Sequence, residues 1–333
     1  MLRKNIEQET GVTIMKMRIV ATVFASLAFL AVSEARALDT VRVGKAINDI
    51  WVYTPLDVGI AEGIFEKYGL MVEISVMPGG AKLQQGLLAG SLDIGLGGSQ
   101  SMALAVKGSP IVAVAALAGA PREFAVLVST DSPIKTVRDL KGKVMAVASN
   151  GSLTEWLTRH LSIAEGWGPD GIKISATGGS DASVAALLSH QVDADMSAAE
   201  TALLLEEKGQ GRIVTEMEKY APDFITQVVF TRQPLVAEKP EFVERFLRGL
   251  FASIAFVKSH KEKTVEISSA VLHLGKPLTG RIYDEQLSIL SDDGQFDPKA
   301  IAILKNSFID LGILTEKPTD AQILTTRFLP VKP

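Results

Sequence analysis

The 333-residue chain contains no cysteine. That excludes disulfides and leaves core burial as the source of stability. It also excludes a lipid anchor on a cysteine behind an N-terminal apolar segment. Histidine is scarce: His160, His190, His260 and His273 are scattered with no i, i+4 pair, so zinc-site spacing is lacking. There is no phosphate loop ending in Gly-Lys-Ser/Thr. Gly95-Leu96-Gly97-Gly98-Ser99-Gln100 has Gln100 where a dinucleotide fingerprint needs its third glycine. Gly97-Gly98-Ser99-Gln100-Ser101 has Ser101 where a nucleophile elbow needs its closing glycine. An excess of positive charge is lacking too. With 34 basic and 38 acidic side chains the formal charge is -4, not the balance of a nucleic-acid binder. The apolar run Ile19 to Val32 has about 14 residues, short of the roughly 20 that a membrane-spanning helix needs.

What is present at the N-terminus reads as an export signal. Lys16 and Arg18 precede the apolar run, and Ala35-Arg36-Ala37 places small residues at the spacing a signal peptidase requires. The expectation is cleavage before Leu38, with residues 1–37 removed and a soluble periplasmic protein released. Met1 to Ile14 is polar and unlike a signal, which points to a translation start at Met15 or Met17. The remaining chain would carry 29 basic and 35 acidic residues, usual for a freely diffusing protein.

Two stretches are near copies: Ile74-Ser75, Gly79, Leu87-Leu88 and Asp93 recur as Ile174-Ser175, Gly179, Leu187-Leu188 and Asp193. Each reads as strand, Gly-Gly turn, helix ending in Leu-Leu, then a strand beginning at Asp. A unit used twice points to two similar α/β lobes with a cleft between them. The twin acids at strand starts are expected to bond nearby backbone rather than ligand. Thr54-Pro55 reads as N-cap and first helical residue of a helix that runs to Gly69. A composition shift at Asp131-Ser132-Pro133 places the first crossing there, giving one lobe as residues 38–128 and 229–333 and the other as 129–228. Phe242, Phe246, Leu250 and Ile254 recur at intervals of four, so the C-terminal part is helical with an apolar stripe to bury.

Four segments in register resemble the periplasmic substrate-binding proteins of ABC importers in the nitrate/sulfonate/taurine group, which includes binders of thiamine-pyrimidine precursors. They are Gly59-Ile60-Ala61-Glu62-Gly63-Ile64-Phe65-Glu66-Lys67-Tyr68-Gly69-Leu70, Gly90-Ser91-Leu92-Asp93-Ile94-Gly95, Ser132-Pro133-Ile134 with Asp139-Leu140-Lys141-Gly142-Lys143, and Gln191-Val192-Asp193-Ala194. The resemblance implies a type II periplasmic-binding-protein fold, α/β, with two lobes joined by two hinge-crossing segments. It implies a monomer that takes a small-molecule ligand without cofactor, metal or catalysis and delivers it to an inner-membrane ABC permease and its ATPase. An exported sensor partner of a membrane receptor, or an enzyme on the same fold, are the alternatives.

In open α/β sheets ligands sit beyond the carboxyl ends of the strands. Four loops fit: Asn48 to Tyr53, Gly97 to Ser101, Ser149 to Thr154 and Ala198 to Thr201. From the first, Trp51 and Tyr53 are expected as an aromatic wall and Asp49 as an acidic contact. Ser99, Gln100 and Ser101, and Asn150, Gly151 and Ser152, lead into helices and offer N–H groups and hydroxyls, unless the serines only cap those helices. Glu123 and Glu200 are the further acidic candidates, and Arg122 the candidate for a carboxylate or sulfonate. Two acids facing the ligand would disfavour a small free anion and favour an amine or neutral ring.

Overall fold

A computed structural model describes residues 37–47 and 50–333. The predicted export segment, apart from Ala37, lies outside the described residues. Among these residues are ten strands, most of them separated by helices: β1 (Asp39–Lys45), β2 (Leu70–Val76), β3 (Ile94–Gly98), β4 (Ile111–Gly119), β5 (Phe124–Ser129), β6 (Val144–Val147), β7 (Lys173–Ala176), β8 (Ala194–Ala198), β9 (Gly211–Glu216) and β10 (Ile225–Arg232). They form two sheets of five, ordered β2-β1-β3-β10-β4 and β7-β6-β8-β5-β9. The orders correspond strand for strand. In each sheet three parallel strands adjoin one that runs antiparallel, β10 in the first and β5 in the second.

The duplicated sequence maps onto equivalent units. Ile74 to Asp93 spans the end of β2, the helix Gly80–Leu88 and the approach to β3; Ile174 to Asp193 spans β7, the helix Ser180–Leu188 and the approach to β8. Both aspartates perform the same structural task. The Asp93 carboxylate accepts from the Arg42 backbone N–H at 3.0 Å, and that of Asp193 from the Val144 N–H at 2.8 Å. Each ties the strand that follows it to its parallel neighbour.

One strand belongs elsewhere than its sequence position implies. Phe124–Ser129 was expected in the first lobe, with the crossing at Asp131, but β5 pairs with β8 and β9 inside the second sheet. Its six residues are all buried, which suits a strand covered on both faces. The first passage between sheets is therefore the four residues Ala120–Glu123. The second is the segment after β9 that leads into β10.

The helix predicted from Thr54 to Gly69 is broken in two. A 3-10 turn at Trp51–Tyr53 precedes Thr54–Ala61, and Gly63 at φ +62 redirects the chain before Ile64–Lys67. Thr54 is inside the helix rather than its N-cap. Its hydroxyl donates to the Trp51 carbonyl at 2.8 Å, because the chain is already wound when it arrives. The 20-residue helix Pro240–Ser259 buries the predicted Phe246, Leu250 and Ile254 stripe against this first pair of helices.

Candidate functional site

The carboxyl ends of β1, β3 and β6 meet at one place between the sheets. Ala46 and Ile47 follow β1, Gly98 ends β3, and Ala148 follows β6; with Ser101, Ser152 and Thr154 they border a cavity of about 20 Å³. Phe124 and Gln227, from the antiparallel strands β5 and β10, complete its wall. That volume holds about one water molecule. The two sides are close-packed here: a Cβ on Gly98 would lie 2.8 Å from Leu153 Cβ, and one on Gly79 3.1 Å from Ser149 Oγ. Glycine is needed at Gly98 for approach, not for backbone shape, since its φ is -63.

A buried polar chain lies behind Gln227. The Tyr53 hydroxyl donates to Gln227 Oε1 at 2.6 Å, and Gln227 Nε2 points to Glu123 Oε1 at 3.4 Å. Glu123 has no exposed surface, and its second carboxyl oxygen has no hydrogen-bond partner among the described residues. Burial raises its pKa from an ordinary 4.5 to about 7, only partly opposed by hydrogen bonds to Thr226, its own backbone and Gln227. Burial, with the Glu123 charge adding to it, pushes the Tyr53 phenol well above its usual value.

A second carboxylate joins the lobes. Glu200 starts the helix Ala199–Glu207 after β8, and its Oε1 accepts from the Trp51 backbone N–H at 2.8 Å and from Gln286 Nε2 at 2.9 Å. Trp51 packs edge-on against Tyr283 at 5.6 Å, within the first-lobe core.

The sequence-nominated residues thus separate into groups. Ser101 and Ser152 line the cavity. Ser152 also caps Leu153–Ala164, accepting from the Glu155 N–H at 3.3 Å. Ser99 is buried and donates to the Ile225 carbonyl at 2.6 Å, and Gln100 donates to Ser307 Oγ at 3.2 Å. Asn150 and Gly151 are exposed, and the Gly151 N–H is taken by Glu155 at 2.6 Å. Arg122 turns outward, its guanidinium held by Glu218 at 2.7 Å and Ser288 at 2.9 Å. Trp51 and Tyr53 are buried in the core rather than presented as an open wall. Asp49 lies outside the described residues.

Gln227 was missed. Its signal was a polar side chain in the middle of the apolar strand Ile225-Thr226-Gln227-Val228-Val229-Phe230. Lys45 was missed as well: it is 1% exposed and bonds Asp57 at 2.5 Å, one residue before the cavity begins.

Two α/β sheets joined by two passages, with the carboxyl ends of their strands converging on one cleft, define a type II periplasmic-binding-protein fold. The chain belongs to the NMT1/THI5-like family, whose model matches residues 51–264. A curated relative in Brucella abortus (strain 2308), named as a binding protein, is 28% identical over 265 residues, covering 79% of this chain and 81% of its own length. The alkanesulfonate-binding protein SsuA from Xanthomonas axonopodis pv. citri, solved bound to MOPS, superposes with a TM-score of 0.73 at 18% identity, covering 87% of this chain and 97% of that one. The desulfurization enzyme DszB shares the fold at a TM-score of 0.58 and 16% identity, covering 87% and 97% of the two chains.

Proposed function

We propose that this protein is the exported solute-capturing component of an ABC importer, working in the periplasm. The observation that carries the reading is the cleft itself: strand ends from both sheets border one cavity, and among the described residues two passages join the lobes. Separation of the lobes about those passages admits a small solute, and closure surrounds it. A ligand that contacts both sides shifts the open–closed equilibrium by its differential affinity for the closed form. The closed form then docks on a membrane permease, whose ATPase supplies the energy. The similarity to a curated binding protein supports capture over chemistry.

The test is a thermal-shift screen of the purified protein against amines, heterocycles, carboxylates, sulfonates and inorganic anions, followed by small-angle scattering. A true ligand at 100 times its Kd raises stability by about 2.7 kcal/mol. It should also shrink the radius of gyration. Absence of stabilisation by every class, with an unchanging scattering profile, would count against capture. The fold likeness to a desulfurization enzyme favours one second reading, turnover in the same cleft. Recovery of the bound compound in altered form would establish it.

A further inference from the structure

Hydrogen-bond donors are in surplus around the cavity, and no formal charge accompanies them. Every described side chain lining it is neutral. Two helices, one from each lobe, begin at its edge: Gly80–Leu88, whose first residue lines it, and Leu153–Ala164, whose first two do. Gly79 gives the first helix no side-chain cap, and the N–H groups of Gly80, Leu153 and Thr154 have no partner among the described residues. The positive ends of both helix dipoles lie with those groups.

Side chains add to the surplus. Ser101 is only 8% exposed and sits beside the start of the Gly80 helix, where a Cβ on Gly80 would lie 3.4 Å from its Oγ. Its hydroxyl lines the cavity without a hydrogen-bond partner among the described residues. Ser152 and Thr154 bond one another at 2.9 Å while accepting from the Glu155 and Ala148 N–H groups. One of their two hydroxyl hydrogens is therefore left over, whichever of the pair donates. Gln227 gives one N–H to Glu123 and accepts from Tyr53, which leaves its second N–H uncommitted.

Resting on the solute-binding reading, we propose that this cavity is a subsite for one oxygen atom of the ligand, an acceptor held by the Ser101 hydroxyl and Gly80 N–H from the first lobe and by the Ser152 and Thr154 pair from the second. Its volume of about 20 Å³ suits a single oxygen-sized group. Such acceptors sit on uncharged carbonyl and sulfone groups and on carboxylates, sulfonates and nitrate; the shared chemistry is the oxygen. An ammonium or amidinium brings only N–H donors, and here it meets further donors and two positive helix ends. Because the donors come from both lobes, the oxygen gains its full set of bonds only on closure, which favours the closed form.

The experiment is titration calorimetry of the purified protein in three arms: acetamide, pyrrolidinone and dimethyl sulfone as uncharged acceptors; acetate, methanesulfonate and nitrate as anions; and propylamine and benzamidine as cations without an oxygen. Binding of at least one oxygen probe, weakened in Ser101→Ala, supports the inference. The loss of one donor should cost about 2- to 10-fold in affinity for an uncharged acceptor and about 10- to 150-fold for an anion, so the factor separates the two sources. Gly80→Ala puts a methyl beside the Ser101 hydroxyl and should weaken the same probe, while replacing a helical glycine leaves the ligand-free Tm unchanged or higher. Binding confined to the cations, or an oxygen probe bound equally well by both variants, overturns the inference and leaves solute capture standing. Silence in all three arms overturns capture and the inference together.

Discussion

Glu123 is fully buried, with one carboxyl oxygen unpartnered among the described residues, and the consequence is one of stability. Its pKa is raised to about 7 in the folded protein, against an ordinary value of 4.5 once unfolded. Between those values the folded state holds a proton that the unfolded state has lost, so stability falls as pH rises. The contribution is present below pH ~4.5 and gone above pH ~7, roughly 3 kcal/mol at 1.36 kcal/mol per pKa unit. Denaturant midpoints measured from pH 4.5 to 8 should show this slope in wild type and lose it in Glu123→Gln, with the variant the more stable of the two at pH 8. Trp51 is the other residue whose environment sets its role. With no exposed surface and Tyr283 against its edge, Trp51→Ala should cost about 3–5 kcal/mol of stability, read as a lower Tm without any ligand. At this scale the sequence disclosed residue type and loop position. Asp93 and Asp193 were legible because a local backbone bond needs only neighbouring strands. The burial of Trp51 was not, because it depends on Tyr283, more than two hundred residues away.

The helix Leu153–Ala164 carries two tasks at its first turn. Ser152 caps it, and Ser152→Ala should lower stability by about 1 kcal/mol in urea unfolding. One residue further, Leu153 meets Gly98 of β3 across the cleft. Gly98→Ala keeps an allowed backbone but puts a methyl 2.8 Å from Leu153 Cβ, so it should hold the lobes apart. Scattering should then report a larger radius of gyration, with β-sheet content by circular dichroism unchanged. Element types were legible wherever periodicity and glycine punctuation were strong, as in the duplicated strand–helix–strand units. The placement of β5 was not. Its apolar run marks a covered strand, yet its partners β8 and β9 lie far along the chain, and a local pattern names no partner.

For the molecule as a whole, the Trp51 N–H to Glu200 bond spans the two lobes and so reports their contact. Hydrogen exchange at the Trp51 amide should accelerate in Glu200→Ala, while amides in the middle of β6 and β8 keep their protection. The corresponding strand orders carry a different consequence, concerning time. All five strands of the second sheet are contiguous, from Phe124 to Glu216, whereas the first sheet receives its antiparallel strand only at Ile225–Arg232. As the chain emerges from the ribosome, the lobe begun first is completed last. Until Arg232 has emerged, β3 and β4 have no strand between them, and their facing edges stay unpaired.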